Sequence, residues 1–183
     1  SSFSANANSI KGAFGYELGQ VVKDAKIYGG NDPFIWFNSE IDIKPKKPLP
    51  GIQNYEASIS LISKKIFKIS AWFHTFGEDK PLSYFNCHFA ASTTDFGKLL
   101  RILEAKYGDF ELINVEDDRW EPLIFHKEKY RYKDGNRQII LSCSDIDNGA
   151  YSLSLYYEDL KLKKQAEKEE KKMISDSTPD YDI

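Results

Sequence analysis

A chain of 183 residues with 41% hydrophobic and 14% aromatic content holds enough apolar mass for one globular domain with its own core, and is too short for two of ordinary size. The net charge is −3 and the basic residues are not gathered into a field that would collect phosphates, so nucleic acid is not an expected partner. No apolar run reaches the length of a membrane-spanning helix.

Ser1 to Ala7 resembles the end of a secretory leader, with Ala5 and Ala7 spaced as a small-x-small cleavage site, so residues 1–9 read as a signal-peptide remnant or a disordered start. Residues 10–160 are expected to form a single α+β domain, and residues 161–183 a charged tail, helical and then disordered from Ser175. At the start of the domain, Phe14, Tyr16 and Leu18 alternate with small or polar neighbours as in a short strand, among glycines that permit a bend. Gly29 to Pro33 reads as a turn, and Pro45, Pro48 and Pro50 with Gly51 as an extended connector.

Tyr55, Ala57, Ile59 and Leu61 fall at every second position, which predicts a half-buried strand. After the polar corner Ser63-Lys64-Lys65, alternation resumes from Ile66 to Phe76, with Phe67, Ile69, Ala71 and Phe73 inward and Lys68, Ser70, Trp72 and His74 outward, so the two runs predict a hairpin. A third short run extends from Tyr84 to Ala90. The spacing of Phe96, Leu99, Leu100, Leu103 and Tyr107 predicts a helix over 94–107, capped by Ser92 or Thr93 and stopped at Gly108. Glu116-Asp117-Asp118 reads as a solvated loop. Trp120 to Tyr132 is strand-like but broken by Pro122, which suits a sheet edge. Asp134-Gly135 and Asp147-Asn148-Gly149 are turn signals leading to strands over 137–143 and 151–157. The expected fold is α+β: an antiparallel sheet, made of a hairpin and a three-stranded meander, packed on one central helix and followed by a charged C-terminal helical tail with no apolar stripe to dock.

Cys87 and Cys143 are the only cysteines, each inside an apolar run. Paired thiols of this kind belong to oxidising compartments, so a disulfide and a periplasmic or secreted location are expected. Closing that loop stabilises the fold by on the order of 4 kcal/mol in the chain-entropy model. A catalytic thiol is the rival reading, yet His88, the next residue along a strand, points to the other face. His74, His88 and His126 fall in three different strands, which permits a three-histidine zinc site, but their spacing fits no zinc motif and no metal or cofactor is assigned. Asp145 to Gly149 carries part of a calcium-loop pattern with its glycine one place early, and reads as a hairpin turn. No nucleophile-elbow, phosphate-loop or dinucleotide pattern occurs, so no catalytic residue is assigned and the chain is read as a non-enzyme.

The aromatic surplus is the remaining clue. Trp72, His74 and Phe76, with Trp120 as an extension, either lie under a second layer or form a platform for a glycan or a protein. The leader-like start, Gly12-Ala13-Phe14-Gly15 with Leu18-Gly19, the proline loop before Tyr55, Leu103-Glu104-Ala105-Lys106-Tyr107-Gly108 and the two cysteines together resemble small exported proteins of unknown function from Gram-negative bacteria. That resemblance implies a periplasmic or secreted domain with a disulfide, and brings no activity. The expected function is therefore non-catalytic binding to an envelope or other protein partner. A carbohydrate or cell-wall binding module is the alternative, and a small hydrolase a further one.

Overall fold

The alternation of Tyr55, Ala57 and Ile59 with polar neighbours becomes a strand in the computed structural model, with all three side chains buried. The structure describes residues 8–26, 39–49, 52–76, 95–120, 123–146 and 150–177. In chain order the elements are β1 (Gly12–Ala13), β2 (Tyr16–Glu17), β3 (Glu40–Asp42), β4 (Asn54–Ile59), β5 (Ile66–Phe76), α1 (Asp95–Tyr107), β6 (Glu111–Trp120), β7 (Leu123–Asp134), β8 (Arg137–Ile146), β9 (Ala150–Asp159) and α2 (Leu160–Ser177). The run around Tyr84, the Gly29 turn and the cap at Ser92 or Thr93 lie outside the described residues. The fold is α+β.

Strands β3 to β9 form one antiparallel sheet in the order β3-β4-β5-β9-β8-β7-β6. The β4–β5 hairpin and the C-terminal meander are fused by the β5–β9 pairing, in which Ile69 meets Tyr157 and Ala71 meets Leu155. Those rows continue through Ile139 and Leu141 of β8 to Tyr132 and Tyr130 of β7. They define the first face of the sheet, and α1 covers it. Phe96, Leu100, Leu103 and Tyr107 are the buried stripe of α1, and Gly108 ends the helix at a φ of 117°. The Phe96 ring lies 5.7 Å from Tyr130, and Tyr107 lies 5.7 Å from Tyr132 and 6.3 Å from Tyr157. Each large apolar side chain buried in this layer contributes about 1.5–3 kcal/mol relative to exposure.

Several elements depart from the sequence expectation. The meander has four strands, because the acidic segment over 111–120 is β6, the edge strand, and Pro122 falls between β6 and β7. A bulge between Ser58 and Ile59 sets Ile59 against Ile66, so Ile66 enters the core in place of Phe67, which is only half-buried. Phe14 and Tyr16 are not in one strand. Phe14 and Gly15 are the central residues of a two-residue hairpin, at φ of 56° and 91°, the positive pair that a type I′ turn requires. A Cβ on Gly12 would meet the Tyr16 carbonyl oxygen at 2.1 Å, so that position accepts only glycine. Packing of the Phe14 ring edge-on to Tyr55 and Tyr157 offsets the cost of its left-handed backbone.

The C-terminal helix is also more than a tail. Asp159 caps α2, its Oδ1 accepting the N–H groups of Lys161 and Leu162 at 3.0 Å. The helix then runs to Ser177 and packs over β5 and β9, with Ala166 buried. It is anchored mainly by polar contacts. Lys163 pairs with the buried Glu158 at 3.0 Å, and Glu169 Oε2 accepts the N–H groups of Ile62 and Ser63, each at 3.0 Å. No helix among the described residues is long and apolar enough to cross a membrane.

Candidate binding face

Glu158 alternates with Tyr157 and so belongs to the second face of the sheet, opposite α1; its pairing with Lys163 places α2 on that face, at the end nearest the β4–β5 turn. Beyond α2 the second face is built from rows fixed by register. One row runs Asn114, Lys129, Ser142, Ser154, Trp72, Asn54 across six strands. The next runs Glu116, Lys127, Ser144, Ser152 and position 74. The centre of both rows is serine on β8 and β9, where Ser144 and Ser152 share a hydrogen bond of 2.6 Å. These four short, half-buried side chains form a floor of hydroxyl groups. Longer side chains bound it: Trp72 on β5 and Lys127 and Lys129 on β7. Strands about 4.8 Å apart put Trp72 and Lys129 roughly 14 Å from each other across that floor.

Charge on this face is banded, with a basic column between acids at either edge. Every second-face position of β7 from 127 to 133 is basic, Lys127, Lys129, Arg131 and Lys133, and Arg131 reaches the edge residue Glu111 at 3.0 Å. Acids stand at both edges: Glu111 and Glu116 on β6, and Glu40, Asp42 and Glu56 on β3 and β4. Burial raises the Glu56 carboxyl above its ordinary range, and Glu40 and Asp42 on β3 push it further, against the Trp72 side chain that hydrogen-bonds to it. Trp72 is thus half-buried and tied to Glu56, not a free-standing platform. Nearer α2, Ile140 is buried and Tyr156 lies beneath Lys68, whose Nζ is 4.6 Å from the ring centroid.

Of the other residues singled out from sequence, His74 and Phe76 share the second-face register of Trp72 along β5, and the rest lie elsewhere. His74 and Phe76 belong to β5, paired with Ser152 and Ala150, and Trp120 ends β6, paired with Leu123; of these three only the backbone is described. Strands β9, β8 and β7 separate Trp120 from Trp72, so the sheet does not bring the two indoles together. His126 aligns with Asp145 and Tyr151 on the first-face register, one step off the register of His74, and His88 lies outside the described residues. Among the described residues no group of histidine, cysteine, aspartate and glutamate is arranged to hold a metal ion.

On the first face, the sequence reading missed a buried polar chain along β7. His126 Nε2 and Glu128 Oε1 are 3.2 Å apart, and Tyr130 donates its hydroxyl to Glu128 Oε2 at 3.1 Å. His126 and Glu128 are almost wholly buried. Burial, followed by the Glu128 carboxylate, pushes the Tyr130 phenol up to about 12. The alternate spacing 126, 128, 130 was the available signal, masked because it interrupts an apolar stripe with charge. Cys143, cross-strand partner of Glu128, is fully buried and is not a free thiol. Cys87 lies outside the described residues.

No protein-family model matches this chain, and no curated protein matches it. Among solved structures it is similar to cyanobacterial PsbP (CyanoP) from Synechocystis sp. PCC 6803, determined in solution, at 17% sequence identity and a TM-score of 0.42, with 87% of this chain and 96% of that chain covered. At that level the likeness carries no residue and no activity across.

Proposed function

We propose that this is an exported, non-catalytic binding protein that engages a protein partner through the second face of its sheet. The observation that carries the reading is the floor of Ser142, Ser144, Ser152 and Ser154 between Trp72 and the β7 lysines, a broad surface of hydrogen-bonding groups beyond α2. A central field of short hydroxyls flanked by a tryptophan has the groups for polar and aromatic contact with another molecule. Export is supported by Cys143 not being a free thiol, which suits a bond to Cys87. A saccharide is the second reading, favoured by Trp72 beside the serine hydroxyls.

A photo-crosslinking residue at Ser154, compared with one at the exposed Ile102 on α1, tests the proposal in cells of the source organism. A discrete adduct at 154 but not at 102, identified by mass spectrometry as one protein, is the expected result. Adducts at 102 alone, or none at either position, remove the second face as the binding surface, and a glycan adduct at 154 selects the saccharide.

A further inference from the structure

We infer that the partner presents to the second face an extended polypeptide segment with acidic residues at alternate positions, lying along β7 over the serines of β8. The inference rests on the second-face reading above and gives the partner its chemistry. Lys127, Lys129 and Arg131 are half-buried, share the second face and stand about 6.4–6.8 Å apart, two residues of strand rise each. An extended peptide has the same two-residue period, so carboxylates on one of its edges meet successive cations without strain in either chain. Beside this column, Ser142 and Ser144 supply hydroxyls that donate or accept, as the polar groups of a main chain require.

The surroundings choose among polyanions. Glu111 and Glu116 flank the basic column on the β6 side, and α2 occupies β5 and β9 at one end of the face. A wide polyanion such as duplex nucleic acid would lie against those acids as well as the lysines, whereas a single narrow strand sits between them. The Arg131–Glu111 pair has 34% and 67% exposed side chains, and a surface pair of this kind is worth at most about 1 kcal/mol, so Arg131 is free to turn to an incoming carboxylate.

The test uses the full chain and a synthetic peptide as long as the 12-residue β7, alternating glutamate with serine. Three comparison probes are an isomer with all glutamates in one block, a sulfated oligosaccharide and an oligo-dT strand. Binding of the alternating peptide is expected to move the amide resonances of Lys127, Lys129, Ser142 and Ser144. It is expected to weaken with added salt, and to weaken about tenfold in Lys127→Glu/Lys129→Glu. Lys129→Gln, which introduces no repulsion, should show a smaller loss, and Ile102→Glu on the far side of α1 none. Equal affinity for the block isomer, or affinity unchanged in the double reversal, overturns the inference. Tighter binding of the oligosaccharide or oligo-dT at the same resonances overturns the polypeptide occupant while leaving the second face as the binding surface. No shift with any probe, while a Ser154 protein adduct still forms, overturns the acidic chemistry alone; no shift and no adduct removes both.

Discussion

Arg137 shows how much one side chain holds in place. Its Nε donates to Asp159 Oδ2 at 3.0 Å, and Nη1 and Nη2 donate to the carbonyls of Ile10 and Leu18 at 2.7 and 3.4 Å. Asp159 uses its other oxygen to cap α2. One guanidinium therefore ties the N-terminal segment, β8 and the start of the C-terminal helix. Arg137→Ala should lower the free energy of unfolding by about 2–3 kcal/mol, since it strips a charged donor from a largely buried carboxylate and two backbone acceptors. Urea denaturation of the two proteins reads this directly, and a loss below about half a kilocalorie would show that the three links are redundant. None of these partners was legible in the sequence: Ile10 and Leu18 lie more than a hundred positions away, and Asp159 comes opposite Arg137 only through the β8–β9 register.

At the level of elements, legibility followed periodicity. β4, α1 and β9 carry twofold or helical spacing, β5 carries it from Ile69 on, and β8 was legible as a short apolar run over 139–141 between turn signals. β6 hid its strand character because Glu116, Asp117 and Asp118 interrupt it, as an edge strand tolerates, and β3 has only three residues. The docking of α2 was hidden for a different reason: Glu169 is held by main-chain N–H groups of Ile62 and Ser63, which leave no mark in side-chain patterning. Likewise the serines of β8 and β9 were visible as alternating outward residues, but only the register made them one floor. The Glu169 anchor gives a pH prediction. Burial alone would raise its carboxyl, yet the donors from Ser63, Ile62 and Gln165 outweigh that and hold it below the ordinary glutamate value. A carboxylate lowered in the folded state stabilises fully above its unfolded pKa, near pH 4.3, and loses that contribution as pH falls through its folded pKa. The stability difference between wild type and Glu169→Gln should accordingly be largest near neutrality and shrink steadily on acidification below about pH 4. Thermal melts of both proteins over that range measure it, and a difference that grows with acid would show that Glu169 does not anchor α2 as an ion.

For the molecule as a whole, the proposed link between Cys87 and Cys143 is a statement about both stability and compartment. Reduction should remove on the order of 4 kcal/mol, seen as a lower urea midpoint in the presence of a thiol reductant. Identical midpoints with and without reductant would dispose of the link and of the export argument that leans on it. One feature of the sheet also governs when the fold can form. β5 and β9 are adjacent at the centre of the sheet, yet the chain from 77 to 149 lies between them, so the loop-closure cost must be met before the central contact returns anything. Until β9 has left the ribosome, the β4–β5 hairpin has no partner on its inner edge and β8 none on its own. A growing chain built this way cannot close the middle of its sheet until β9 is made, long after the hairpin that it joins.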